Sequence, residues 1–104
     1  MVSYARPLAL GLLHVAAGTS AASRTKARVA LALRANRDGY GLVETLEFGA
    51  GALTDEVQFH ALEDLATRLD AQAIVVAGPL DLGRVHEIAD HLRLVVVEHD
   101  ETLS

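Results

Sequence analysis

The segment Ala17-Gly18-Thr19-Ser20 follows an apolar run and opens a helical pattern, so its backbone N–H groups and two hydroxyls could hold a phosphate or carboxylate. It has neither the glycine spacing and Lys-Ser/Thr pair of a P-loop nor the three-glycine dinucleotide fingerprint, and its plainer role is to cap the helix. Histidine supplies five further candidates. His86 and Asp90 stand one helical turn apart, while His91 lies about 140° away around the same helix, so only two of these groups converge where a metal needs three or four. His14 sits near the carboxyl end of an apolar strand, as a hydrogen-bonded core histidine or as a pocket residue. Glu44 and Glu47 have opposite parity in a strand and cannot form an acid/base pair. Arg24 and Arg28, one turn apart, with Lys26, Arg34 and Arg37, make one helix basic. That face is either solvated or a contact surface for phosphate or for an acidic partner.

These residues depend on a regular series of elements. Leu8–Val15 is apolar, of strand length, and preceded by Pro7. Thr19 or Ser20 caps a helix reaching about Asn36, with Ala22, Val29, Ala30 and Leu33 on its inner side and Arg24, Arg28 and Arg34 on the other. Asp38-Gly39 stops it. Tyr40–Phe48 alternates as an edge strand, with Leu42, Leu46 and Phe48 on one face and Glu44 between them. Thr54 caps a second helix over about 55–69, carrying Phe59, Leu62, Ala66 and Leu69. Ala73–Ala77 is apolar throughout, which suits a strand covered on both faces, and Gly78-Pro79 ends it. Asp81 caps a third helix with Val85, Ile88, Ala89 and Leu92, then comes a strand at Leu94–Val97 and a polar tail. The order β-α-β-α-β-α-β predicts a small, doubly wound α/β domain with a mostly parallel four-stranded sheet between two helical layers, spanning residues 1–104.

Composition narrows the function classes. With 51% apolar residues the chain can bury a core, and its longest apolar run, Pro7 to Leu13, is far shorter than a membrane span of about 20 residues. No signal-peptide pattern is visible, and a start at Met1 with a polar end reads as a complete chain. The absence of cysteine excludes disulfides and thiolate metal sites and fits a cytoplasmic location. The net charge of −5 conceals an asymmetry: residues 1–43 hold six Lys/Arg against one acid, and residues 44–104 hold three against thirteen. The acidic part opposes general nucleic-acid binding, whereas opposite charge on two parts of one chain favours self-association or an oppositely patterned partner.

The chain also resembles the catalytic domain of the serine recombinases, the resolvase/invertase family, over most of residues 8–98. The most specific part is Ile74-Val75-Val76-Ala77-Gly78-Pro79-Leu80-Asp81-Leu82-Gly83-Arg84, which resembles that family's apolar strand followed by Leu-Asp-Arg-Leu-Gly-Arg. Gly39-Tyr40, Glu47-Phe48 and the apolar first strand are similar too. The family's first strand ends in Tyr-x-Arg-Val-Ser, whose serine is the nucleophile; here the aligned residues are Leu12-Leu13-His14-Val15-Ala16. The loop after the second strand, which carries Asp, Ser-Gly and an arginine in the family, is Gly49-Ala50-Gly51-Ala52-Leu53. Of the two arginines in Arg-Leu-Gly-Arg only Arg84 is kept, the first being Asp81. An arginine-rich site neutralises a scissile phosphate, and an Asp works against that. Ser20 lies four residues beyond the aligned nucleophile position, with no base in predictable reach. The family's long dimerisation helix and DNA-binding helix-turn-helix have no counterpart before Ser104.

The resemblance therefore implies a catalytically silent, resolvase-like domain with no cofactor and no metal. Such a domain would act as an interaction module, forming a homodimer or meeting a protein partner through Arg24, Arg28 and Arg34. The alternative is a small-anion or nucleotide binder with Gly18, Thr19 and Ser20 on one loop and Gly78 and Arg84 on the next, at the carboxyl ends of neighbouring strands.

Overall fold

A computed structural model describes residues 6–49, 56–77 and 82–99. Its elements run β1 (Leu8–His14), α1 (Ala21–Arg37), β2 (Gly41–Phe48), α2 (Glu56–Arg68), β3 (Ala73–Ala77), α3 (Leu82–Leu92) and β4 (Val95–His99). The four strands form one sheet in the order β2-β1-β3-β4, and every neighbouring pair is parallel. The chain steps from β1 outward to β2, then crosses back past β1 to β3 and on to β4. That reversal puts α1 on one face of the sheet and α2 with α3 on the other, giving the doubly wound α/β domain that the element order predicts.

Two cores result, one on each face. Leu10, Leu12, Ile74 and Val76 meet Phe59, Leu62 and Ala66 of α2 and Val85 and Ile88 of α3. On the other face Ala9, Leu13, Ala73, Val75, Ala77 and Val97 meet Leu31 and Ala35 of α1. Both parities of β1 and β3 are thus buried, which is why these strands are apolar without alternation.

β2 lies at an edge, as its alternation implies, but it does not keep one parity. Ala9 pairs with Leu42 and Leu10 pairs with Glu44, so Val43 is an extra residue in a β-bulge. Past the bulge the side chains exchange faces. Leu42 packs with the α1 core, whereas Leu46 and Phe48 join the α2–α3 core. This corrects the expectation that the three share a face; period-2 counting fails where one strand carries an extra residue. The bulge also brings Thr45 opposite Gly11 and places Glu47 beneath α1.

A second correction concerns α1. Val29 and Leu33, expected inside, are 53% and 64% exposed, while Leu31 and Ala35 are fully buried. This helix is apolar on several sides, so spacing alone admits two inner faces. The buried side is the one on which Leu31 and Ala35 pack against β1 and β3, and Arg24 and Arg28, toward the same side, reach Glu47 at the sheet edge. A third, smaller difference is that β4 continues through Glu98 and His99, paired with Val76 and Ala77, where a polar tail was expected. Glu98 is exposed there, as a charged residue of an edge strand can be.

Candidate functional site

At the carboxyl end of β1, Gly18 adopts φ 83°, the left-handed region that favours glycine, and turns the chain into α1. The Thr19 hydroxyl donates to the Ala16 carbonyl at 2.6 Å. Ser20 is the N-cap, in extended conformation; its Oγ accepts from the Ser23 amide at 3.1 Å and donates to Ser23 Oγ at 3.0 Å. Both hydroxyls are therefore engaged in shaping the start of the helix. Ser20→Ala is expected to cost about 1 kcal/mol in a urea unfolding titration, the usual value of an N-cap. A change below a few tenths would show that this bond does not hold α1.

β1 and β3 do pair, from Ala9–Ala73 to Leu13–Ala77, so the carboxyl ends of the two strands lie side by side in the sheet. Gly78 and Asp81 lie outside the described residues. Arg84, in the first turn of α3, is turned to its neighbours: its guanidinium lies 3.3 Å from Glu56 and 3.1 Å from Glu87, and 3.9 Å above the centre of the Phe59 ring. Glu56 and the Phe59 ring tie it to α2 while Glu87 holds it within α3, and the two carboxylates offset the charge an anion would need.

The basic helix is likewise partly committed within the chain. Arg28 meets Glu47 at 2.6 Å and Arg24 meets the same carboxylate at 3.6 Å, while Arg34 pairs with Asp38 at 3.1 Å. Of the five cations on α1, Lys26 and Arg37 have no ion pair among the described residues. Beside this helix, Thr25, Val29, Ala32 and Val43 line a groove of about 510 Å³ that runs to the β2 edge.

A polar cluster links α2 to α3. Glu63, with a side chain only 17% exposed, receives His60 Nδ1 at 3.3 Å on one oxygen and His91 Nδ1 at 2.9 Å on the other. His60 Nε2 lies 3.6 Å from Glu56. The spacing of His60 and Glu63 along one helix is readable in the sequence, but the arrival of His91 depends on how α3 packs. The cluster borders a groove of about 580 Å³ between the two helices, lined by Val57, Ala61, Asp64, Thr67 and Leu92 as well. His86 and Asp90 are exposed and take no part. His14 is half-buried and its ring has no hydrogen bond among the described residues, so of its two expected roles the hydrogen-bonded core histidine is not the one observed. At the end of β4, His99 Nδ1 is buried and likewise has no hydrogen-bond partner among the described residues. No three His, Asp or Glu side chains among the described residues are grouped to hold a metal ion, and no helix among them is long and apolar enough to cross a membrane.

Two outward-facing surfaces thus lie on opposite layers, one along α1 and one between α2 and α3. Comparison with protein-family models, curated proteins and solved structures gives no match to this chain.

Proposed function

We propose that this domain is a non-catalytic, resolvase-like α/β interaction module that associates with further copies of itself. The observation that carries the reading is the exposure of Val29 and Leu33 on the outer side of α1, a helix with five cations and no acid. Isolated exposed apolar residues are ordinary, but two large ones a single turn apart, beside a groove reaching the exposed Val43, form a continuous patch. The non-catalytic part of the reading is supported by the committed chemistry at the carboxyl ends of the strands. Ser20 and Thr19 serve the helix start, Arg84 lies between two carboxylates, and Ala16 stands where the resemblance would put a nucleophile.

Sedimentation velocity of the purified chain over the micromolar range, at low and at high salt, tests this directly. The expected result is a weight-average mass that rises above the monomer with concentration and falls again with added salt. A monomer at every concentration in low salt would overturn the self-association.

A further inference from the structure

Resting on the reading of self-association, we infer that copies of this domain join head to tail, the outer side of α1 of one copy entering the α2–α3 groove of the next. The two surfaces differ in charge. α1 holds five Lys/Arg and no acid, whereas α2 and α3 together hold Glu56, Glu63, Asp64, Glu87 and Asp90 against Arg68 and Arg84. A symmetric contact of α1 with α1 would oppose cation to cation, and a symmetric contact of the grooves would oppose acid to acid. Juxtaposed like charges are costly, so only the unlike pairing gains from both surfaces.

The uncommitted groups match. Lys26, Val29, Leu33 and Arg37 fall within an arc of about 80° on the helix, so an apolar pair is flanked at each end by a cation. Neither cation has an acceptor in its own chain among the described residues, since the arginines that do are Arg24, Arg28 and Arg34. In the groove, Ala61 and Leu92 provide apolar wall beside Asp64. Asp64, which lines the groove, has no ion pair among the described residues. Each surface therefore offers apolar area with unpaired charge of opposite sign at its border. Because the two surfaces differ and lie on opposite layers of one domain, the contact is heterologous, and each added copy leaves a fresh surface at both ends.

Two variants, each blocking one surface, separate this arrangement from any symmetric one. Leu33→Glu puts an acid in the middle of the α1 patch, and Ala61→Arg fills the groove with a cation. Both sites are exposed helix positions, and circular dichroism checks that each variant folds. Each variant alone is expected to lose association by ~10-fold or more. Mixed, they are expected to form a one-to-one heterodimer and nothing larger, since Ala61→Arg supplies the intact helix and Leu33→Glu the intact groove. If the unaltered chain associates but the mixture yields no heterodimer, or if either variant alone still associates as the unaltered chain does, the head-to-tail arrangement is overturned while self-association stands. If the unaltered chain is monomeric throughout, both fail. Should either variant not fold, Lys26→Glu and Asp64→Lys replace them, and combining these two in one chain is expected to restore association by exchanging the charges.

Discussion

Leu31→Ala is expected to lower the unfolding free energy by about 3 kcal/mol, whereas Leu33→Ala, two residues further along the same helix, is expected to cost less than about 0.5 kcal/mol. The two substitutions remove the same atoms, so the difference reports environment alone. Leu31 is fully buried against β1 and β3, and its truncation leaves a cavity under a helix pinned at both ends, by the Ser20 cap and by the turn at Asp38-Gly39. Leu33 is 64% exposed and leaves none. A domain of this size has about 5–15 kcal/mol of stability, so the first change removes a large share of it and the second almost nothing. Urea titrations with unchanged slopes measure both. A larger loss at Leu33 would mean that α1 presents the opposite face to the sheet, and the docking surface proposed for that helix would go with it.

Gly11→Val is expected to be nearly as damaging, by about 2–3 kcal/mol, through crowding instead of a cavity. Gly11 lies in the middle of the central strand on the α1 face. A Cβ built there would stand 2.9 Å from Thr45 Oγ1 and 3.2 Å from a Leu42 methyl. Thr45 and Leu42 are half-buried and border the groove along α1, so each can give a little, but a valine brings two further methyls against both at once and Leu42 also packs against the α1 core. Gly11→Ala is the gentler probe. Paired with Thr45→Ala, which removes the nearest atom, it is expected to cost less than the sum of the two single changes, with a coupling of about 1 kcal/mol. Strict additivity would show that the two side chains do not meet.

Most of the architecture was legible because its determinants are local. Apolar runs mark β1 and β3, helix caps and glycine turns set the boundaries of α1, and the regular alternation of strand and helix implies a parallel sheet. The two errors of face share a cause. The inner side of α1 and the parity of β2 are decided between elements: by the packing of Leu31 and Ala35 against β1 and β3 in one case, by a pairing with β1 that leaves Val43 as an extra residue in the other. Neither is encoded in one element's own periodicity. The same holds for chemistry. Ser20 as a cap is local and was readable, whereas the meeting of Arg84 with Glu56 and of Glu63 with His91 depends on the packing of α2 against α3. Val29 and Leu33 on the outer side of α1 have the spacing of a core face, which an exposed apolar face shares.

The all-parallel sheet imposes an order on how this chain can acquire its structure. No strand can close onto its neighbour by a tight turn, since parallel partners need a long crossover. β1 is synthesised first yet is hydrogen-bonded on both sides, and its second partner, β3, follows about 60 residues later. Until then Leu10 and Leu12 lie on a strand with one open edge and an uncovered face, because α2 and α3, which supply that face's cover, come after the first β-α-β unit. One of the two strands buried on both faces is therefore the one that a growing chain leaves uncovered longest.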